Sequence, residues 1–307
     1  MLYICLMTGD KTKESLPGIK AVPDNLLDID AVIADKSPLL KKLMPGFVIN
    51  YLKRLIHQDW LNHFLTDYHD DLGVDFIDSI LTEMNTTLDV HGLDNIPEKE
   101  KCIVAANHPL GGLDGMALML VVSRVRNDIV FPVNDILMNI KNLQELFIPI
   151  NKLGSNAENI KIINDTFASD KLVCYFPFGL VSRKQKGKII DLEWKTTFIT
   201  KAKRFKRDII PTHISGRNTN FFYNLSNYRK KFGIKANLEM LFLVDELDKQ
   251  KGKTLTFTFG KKVPYTFIDN RFTKAEWAEL MRQYIYKLGN GFDKSFVEWV
   301  ESDITSK

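Results

Sequence analysis

The residues best suited to chemistry lie in one short stretch, where His108 and Asp114 flank a glycine-rich turn. A histidine titrates near neutral pH and accepts a proton from a hydroxyl or an amine. A neighbouring carboxylate holds the useful tautomer and stabilises the imidazolium that forms. Since no serine or cysteine follows in a nucleophile-elbow arrangement, the pair is predicted to activate an incoming acceptor. On the pair alone a second interpretation stays open, in which Asp114 only caps a helix and His108 is a satisfied loop residue.

The flanking sequence predicts the elements that position this pair. Cys102–Ala106 is a short apolar run typical of a buried strand. Gly111 and Gly112 suit a sharp turn, and a helix is predicted over residues 116–122, with Asp114 as a candidate cap. A strand, a turn and a helix N-terminus place the histidine and the carboxylate at an edge of a sheet, where open α/β folds bind ligands.

Four short blocks of sequence stand out between residues 88 and 264. The first is Asn107-His108 with Asp114, and the others are LFIPI at 146–150, YFPFGLVSR at 175–183 and IIPTH at 209–213. In this order they resemble the glycerolipid (PlsC-type, lysophospholipid) acyltransferase superfamily. That superfamily usually has four residues between the histidine and the aspartate, and this chain has five. The form NHPLGGLDG resembles a bacterial branch called hemolysin-like, near the ornithine- and glycine-lipid O-acyltransferases.

The second and third blocks depart from the superfamily pattern. Phe178 stands where the wider superfamily has a glutamate, and Leu180 stands where the branch has one. Asn151 and Lys152 replace the arginine often found in users of glycerol-3-phosphate. These departures weaken the case for a glycerol-phosphate acceptor. They predict a more apolar site, which suits a lyso-lipid that already carries one acyl chain.

The resemblance implies an enzyme that moves a fatty acyl group from acyl carrier protein or coenzyme A to the hydroxyl of a lyso-lipid. The acceptor would be a lysophospholipid or the lyso form of an amino-acid-containing lipid. His108 would be the general base and Asp114 its orienting partner, and the hydroxyl would attack the thioester directly. Two alternatives stay open, an N-acyltransferase acting on an amine and a catalytically inactive lipid-binding homologue.

The predicted substrate-binding residues come from the first and third blocks. Ser182 and Arg183 offer a hydroxyl and a guanidinium to an anionic group. Backbone amides near the glycines are candidates to stabilise the oxyanion. The full predicted set is Asn107, Gly111, Gly112, Phe176, Pro177, Phe178, Gly179, Ser182 and Arg183. No bound cofactor and no metal is expected, and the thioester is a co-substrate.

Composition indicates an ordinary globular protein in a reducing compartment. Of the 307 residues, 45% are hydrophobic and 26% are charged. The three cysteines are far apart and form no CxxC pair, which disfavours zinc and disulfides and fits the cytoplasm. Residues 1–7 are too short for a signal-peptide core, and no run of about 18 apolar residues predicts a membrane span. The expected location is cytoplasmic, with peripheral contact at the inner face of the membrane.

Alternating elements predict an α/β fold, with a mixed, largely parallel sheet flanked by helices and preceded by an N-terminal helical hairpin. Strands are predicted over 102–106, 129–133, 208–214 and 254–259, and helices over 156–168 and 274–288. The predicted organisation is a poorly ordered lead-in at 1–30, a helical region at 31–85 and an α/β acyltransferase domain at 86–307. The hairpin, from Pro45 to Met84, either rests on a bilayer with Trp60 at the interface or packs on the sheet, and packing is the favoured interpretation.

Charge is distributed unevenly along the chain. Residues 183–207 contain ten basic residues against Asp191 and Glu193, although the whole chain carries a net charge of only +4. Such a zone suits an acidic acyl carrier protein, the phosphates of coenzyme A or anionic lipid headgroups. The alternative is an ordinary solvated surface. No nucleic acid partner is expected, since no recognition motif accompanies the charge.

Overall fold

A seven-stranded mixed sheet forms the centre of the computed structural model, which describes residues 27–133, 137–149, 156–234 and 237–304. The strands are β1 (Thr87–His91), β2 (Cys102–Ala106), β3 (Ile129–Val133), β4 (Phe147–Pro149), β5 (Leu172–Tyr175), β6 (Arg183–Gln185), β7 (Lys188–Ile190), β8 (Asp208–Ile214) and β9 (Thr254–Phe259). The sheet order is β1-β9-β8-β2-β5-β3-β4, while β6 and β7 form a separate hairpin. Strands β8 and β9 pair antiparallel and the other neighbours in the sheet pair parallel, which confirms the predicted sheet.

Helices cover both faces of this sheet. They are α1 (Ile29–Lys36), α2 (Pro38–Leu43), α3 (Gly46–Leu55), α4 (Gln58–Asp67), α5 (Gly73–Glu83), α6 (Leu113–Ser123), α7 (Asn156–Ala168), α8 (Thr197–Phe205), α9 (Asn220–Lys231), α10 (Leu243–Asp248), α11 (Lys274–Leu288) and α12 (Phe296–Trp299). Short 3₁₀ helices lie at Leu93–Asn95, Leu137–Asn139, Lys141–Leu146, Leu238–Phe242 and Tyr265–Phe267, and a π-helical segment lies at Val300–Ile304.

The alternation of side chains along β2 divides the core into two layers. Val104 faces a layer that α5 and α6 cover, and Ile103 faces a layer that α8 and α11 cover. Strands β2, β3, β4, β5 and β8 run in one direction, so their carboxyl ends share one edge of the sheet. We call it the carboxyl edge, and it includes Ala106, Tyr175 and Ile214.

The helical region ahead of the sheet is more divided than the sequence predicts. Where one helix was expected from Pro45 onward, α3 and α4 are separated at His57, whose φ of 49° is left-handed. A non-glycine residue in this conformation interrupts the helix, and periodicity alone does not reveal such a break. Two further helices, α1 and α2, lie before this pair.

Much of the helical region packs on the sheet. Phe76 and Ile77 of α5 and Phe64 of α4 are buried in the first core layer. Trp60 packs edge-on against Phe64, and the Lys251 ammonium lies 4.3 Å from its ring centroid. Trp60 is therefore covered by protein on these sides, which disfavours the alternative interpretation that places it at a bilayer interface.

The ends of the predicted domains fall partly outside the described residues. Of the lead-in at 1–30, the structure describes 27–30, and α1 already begins at Ile29. Helix α5 ends at Glu83 and β1 begins at Thr87, on either side of the predicted boundary at 85/86. Helix α5 shares a core layer with the sheet across this boundary. A separate domain before residue 86 stays a prediction.

Candidate active site

Loops that follow β2, β5 and β8 bring most of the predicted site residues to the carboxyl edge. The loop after β2 carries His108, and its carbonyl accepts the backbone amide of Ser182, 2.7 Å away, from the loop after β5. The Asn218 side chain, after β8, donates to the carbonyl of Leu110 at 3.4 Å. Three segments that are distant in sequence are thus joined around the histidine.

His108 and Asp114 form a direct hydrogen bond. The distance between Nδ1 of His108 and Oδ2 of Asp114 is 2.9 Å. The aspartate side chain is fully buried, and the histidine side chain keeps 14% of its exposure. Because the carboxylate accepts the proton on Nδ1, the neutral ring presents an unprotonated Nε2, the form that a general base requires.

Asp114 does not occupy the cap position that the sequence analysis considered. Helix α6 begins at Leu113 after Gly112, so Asp114 is the second residue of the helix. Its carboxylate accepts the backbone amides of Leu110, Gly111 and Gly115 at 2.9, 3.1 and 3.0 Å. The aspartate therefore ties the turn to the helix N-terminus, where a negative charge is favourable, and orients His108 as well.

Asn107 and Gly111 shape the loop. The Asn107 side chain donates to the Ile214 carbonyl at 2.9 Å and accepts the Ile214 amide at 2.8 Å, so it bridges β2 to β8. Gly111 has a φ of 99°, and a Cβ there would lie only 2.7 Å from Val181. The amide groups of Asn107 are thus engaged by the protein, and Gly111 is required by its conformation and by close packing.

Phe176 forms one wall of the site. Its ring stacks on the His108 imidazole, with the ring centroids 4.1 Å apart and the planes inclined by 24°. The Phe131 ring packs edge-on against the Phe176 ring, with the ring centroids 5.0 Å apart. The aromatic pair restricts the motion of the imidazole and gives it an apolar neighbour.

The structure corrects the expected positions of Phe178 and Gly179. Phe178 is buried in the second core layer, on the face of the sheet opposite Phe176 and His108, so it does not widen the apolar site. Pro177, which has no amide hydrogen, lies buried between the two phenylalanines. The Gly179 amide donates to the Phe176 carbonyl at 3.0 Å, and the Gly111 amide donates to Asp114. These two amides, candidate oxyanion donors, already have partners within the protein.

Ser182 and Arg183 also have protein partners instead of an open position. The Arg183 guanidinium is buried and lies 3.1 Å from Oε1 of Glu239. Burial alone would raise the pKa of Glu239, but its hydrogen bond with Arg229 and the charge of Arg183 hold that pKa below its usual value. The guanidinium faces inward because Glu239, which is 56 residues away in sequence, supplies its counter-charge.

This buried ion cluster gives a stability prediction. Glu239→Gln leaves Arg183 and Arg229 without a counter-charge, so we expect the free energy of unfolding to fall by about 3 kcal/mol. Urea denaturation followed by circular dichroism measures the change. Glu100→Gln is the matched control, because Glu100 pairs with Lys262 on the surface, and we expect less than about 1 kcal/mol there. Equal losses in the two variants would contradict the prediction.

Asp191 is the functional candidate that the sequence analysis missed. Its fully buried carboxylate accepts the Ser182 hydroxyl at 2.6 Å, the Trp194 indole N–H at 2.9 Å and the His108 backbone amide at 3.3 Å. Burial raises the pKa of Asp191, and the bonds from Ser182 and Trp194 lower it in part. Since the Ser182 amide donates to the His108 carbonyl, both peptide groups of His108 are held. In the sequence Asp191 stands out only as one of two acidic residues, with Glu193, in a basic stretch.

The predicted basic zone does not form one surface. Arg207 is buried and donates to backbone carbonyls of Cys102, Thr166, Phe167, Ser169 and Lys171. Helix α8 ends where β8 begins, at the edge of the sheet opposite the carboxyl edge, so Lys203 and Lys206 lie far from His108. Within the zone, the β6–β7 hairpin begins directly after Ser182, which contacts His108, and Nζ of Lys195 lies 3.4 Å from the position that a Cβ on Gly179 would occupy.

The described residues hold no group of three His, Cys, Asp or Glu side chains suited to a metal ion. Cys102 and Cys174 are buried in strands, and burial raises the pKa of Cys102 to about 12, which makes it a poor nucleophile. None of the described helices is both long enough and apolar enough to cross a bilayer. Ile150, Asn151 and Lys152, at the end of the second block, lie outside the described residues.

Comparisons with known proteins found similar sequences and a similar solved structure. A family model described as Acyltransferase matches residues 31–295. A lyso-glycine lipid O-acyltransferase from Phocaeicola vulgatus is 44% identical over 265 residues, which are 86% of this chain and 95% of that protein. A protein of the same name from Bacteroides thetaiotaomicron is also 44% identical over 265 residues, 86% of this chain and 97% of its own. The crystal structure of the 1-acyl-sn-glycerophosphate acyltransferase PlsC from Thermotoga maritima aligns with 82% of this chain and 100% of its own, at 14% identity and a TM-score of 0.45.

Proposed function

The chain belongs to the acyltransferase family, and from this premise we propose that it transfers a fatty acyl group from a thioester to the hydroxyl of a lyso-lipid. The membership confirms the resemblance found in the sequence. The names of the two bacterial relatives support a lyso-glycine lipid as the acceptor. The observation that carries the proposal is the hydrogen bond between His108 and a fully buried Asp114 at the carboxyl edge.

In the proposed mechanism, Nε2 of His108 takes the proton of the acceptor hydroxyl as its oxygen attacks the thioester carbonyl. Asp114 holds Nδ1 and stabilises the imidazolium. The tetrahedral intermediate then collapses, the carbon–sulfur bond breaks, and the imidazolium returns the proton to the sulfur. The products are an ester and a free thiol, so the step needs no cofactor and no acyl-enzyme.

The acyl donor is a thioester of acyl carrier protein or coenzyme A in this proposal. Both donors are rich in negative charge. The β6–β7 hairpin, which carries Lys184, Lys186 and Lys188, begins directly after Ser182, whose amide donates to the His108 carbonyl. We place the donor there, with Lys195 next to Gly179 on the same side. The lysines would raise the local concentration of an anionic donor.

A peripheral position at the inner face of the membrane completes the proposal, because the acceptor is a lipid. Helices α2 and α3 support it with apolar side chains that point into solvent, two on each helix. These are Leu39 and Leu43 of α2 and Phe47 and Tyr51 of α3, which are 67%, 69%, 74% and 51% exposed. Exposed apolar side chains are typical of helices that rest on a bilayer.

A reaction with defined substrates tests the proposed function. Purified protein is mixed with acyl carrier protein or coenzyme A thioester and with lyso-glycine lipid, lysophospholipid or an amine acceptor. We expect free thiol to appear in step with an O-acylated, two-chain lipid, identified by mass spectrometry. Thiol release without an acylated lipid would indicate a thioesterase, and an N-acylated product alone would support the amine alternative.

Asp191 supplies a further prediction about this reaction. In Asp191→Asn, the amide NH₂ must face at least one of the N–H or O–H donors that the carboxylate now accepts. We expect kcat to fall by about 10- to 100-fold because the His108 backbone shifts, while KM for both substrates changes little. Ser182→Ala keeps the carboxylate and should lose less. A thermal melt measures the folded fraction, and a kcat that falls only in proportion to that fraction would contradict the positioning role.

A further inference from the structure

Helix α9 carries apolar side chains on two faces, and only one of them is buried. On the inner face, Phe222 and Tyr223 pack with Val181 and Leu243. The outer face carries Phe221, Tyr228 and Phe232, spaced seven and four residues apart, which places them in one stripe on the helix. Ile234 and Leu238, which follow α9 in the chain, are exposed as well. We call these five residues the α9 apolar surface, and their exposed fractions run from 37% to 73%.

The α9 apolar surface lies in a strongly basic part of the chain. Residues 217–238 contain five Lys or Arg and no Asp or Glu. Lys230 and Lys231 are exposed in the last turn of α9, and Lys184 of β6 contacts Asn220 at its first turn. Two buried carboxylates contact the helix: Glu239 pairs with Arg183 and Arg229, and Glu246 accepts the amide and the hydroxyl of Thr219. The surface thus combines exposed aromatic rings with the exposed positive charges of Lys230 and Lys231.

This surface is attached to the carboxyl edge. Helix α9 follows β8 after a short loop, in which Gly216 lies against the side chain of Leu110. Farther along the chain, the side chain of Leu243 in α10 lies against Gly111, and Gly111 belongs to the loop that carries His108. Two contacts thus connect the elements under the α9 apolar surface to the loop that holds the general base.

We propose that the α9 apolar surface inserts into the headgroup layer of an anionic bilayer and so turns the carboxyl edge toward the lipid acceptor. Aromatic rings flanked by lysines, without acidic residues, are the composition of helices that lie in a membrane interface. The surface adjoins the site that a lipid hydroxyl must reach. A bilayer as its partner explains this position, and a soluble partner does not. The inference deepens the membrane contact of the proposed function and rests on a lipid being the acceptor.

Vesicle binding of the full-length protein tests the proposal. The probes are vesicles of phosphatidylcholine alone and of phosphatidylcholine mixed with phosphatidylglycerol, and the measurement is the partition coefficient from co-sedimentation. We expect Phe221→Ser/Phe232→Ser to lower partitioning into the mixed vesicles by at least about tenfold. Lys230→Glu/Lys231→Glu should weaken binding to the anionic vesicles and leave binding to pure phosphatidylcholine unchanged, with an effect that salt reduces.

Leu72→Ser is the matched control, because Leu72 is 56% exposed and lies outside the α9 apolar surface. We expect it to bind vesicles like the unaltered protein. Vesicle binding by Phe221→Ser/Phe232→Ser that equals that of the control would overturn the proposal. So would a defect confined to KM for acyl carrier protein, which would make the surface a protein-docking site.

A transfer assay separates this inference from the proposed function. With acceptor dispersed in detergent, we expect Phe221→Ser/Phe232→Ser to retain the kcat of the unaltered protein, since neither residue belongs to the His108 site. With acceptor embedded in vesicles, the rate should fall together with vesicle binding. If the unaltered protein transfers no acyl group, the proposed function fails, whereas the partition coefficients still decide where the bilayer binds.

Discussion

His108→Ala is expected to lower kcat for acyl transfer by about 10²- to 10⁴-fold, because it removes the imidazole that takes the proton from the acceptor hydroxyl in the proposed mechanism. The loss should appear with each donor and acceptor that the unaltered protein uses. Stability should change little, since the side chain makes one hydrogen bond, to Asp114, and one ring stack, on Phe176. Product formation by mass spectrometry measures the first effect, and a thermal melt measures the second.

His91→Ala is the matched control for this variant. His91 also hydrogen-bonds an aspartate, with 3.0 Å between its Nε2 and Oδ2 of Asp89, but the pair is exposed on β1. We expect full activity in that variant, since the pair is exposed to solvent and does not lie at the carboxyl edge. Full activity in His108→Ala, or an equal loss in both variants, would refute the role assigned to His108.

The sequence predicts the sheet well because its strands are short, buried and separated by turn residues. The observed bounds of β2, β3, β8 and β9 coincide with the predicted ones, as do those of α7 and α11. These segments carry their signal locally, in uninterrupted apolar runs or in helical periodicity. The order of the blocks along the chain also predicts the position of His108 at the carboxyl edge, since the carboxyl ends of parallel strands lie at the same edge of a sheet.

Side-chain directions at the site are less predictable, because contacts between distant segments decide them. Phe176 and Phe178 differ by two positions, yet the turn after β5 sends them to opposite faces of the sheet. The sequence predicts that Arg183 binds an anionic group, whereas in the structure its guanidinium pairs with Glu239. Asp191 is separated from His108 by 83 residues, so its contact with the histidine has no local trace in the sequence.

The β6–β7 hairpin, by contrast, had a local signal that periodicity does not capture. Its strands are joined by Lys186 and Gly187, whose φ values of 47° and 82° are both positive. Two such residues favour the tight turn that joins antiparallel strands, and a glycine at the second position is typical of it. The interpretation of residues 183–207 as a basic zone took no account of this turn, and so it did not predict the hairpin.

Asp114→Asn is expected to inactivate the enzyme through the tautomer of His108. Each carboxylate oxygen of Asp114 accepts two donors: Oδ2 accepts Nδ1 of His108 and the Leu110 amide, and Oδ1 accepts the amides of Gly111 and Gly115. The NH₂ group of an asparagine must face one of these pairs. Backbone amides remain donors, whereas an imidazole can exchange its tautomer, so the NH₂ group should turn toward His108.

In that orientation Nδ1 of His108 accepts a hydrogen bond and the proton moves to Nε2, which can no longer act as a base. We expect kcat to fall by about 10⁴-fold, the scale of a tautomer error in a comparable triad. The ¹⁵N NMR shifts of the labelled histidine report which nitrogen carries the proton. Asp89→Asn, in the exposed His91 pair, is the control and should remain fully active. An active Asp114→Asn, or an inactive one whose Nε2 remains unprotonated, would show that Asp114 does not act by orienting the base.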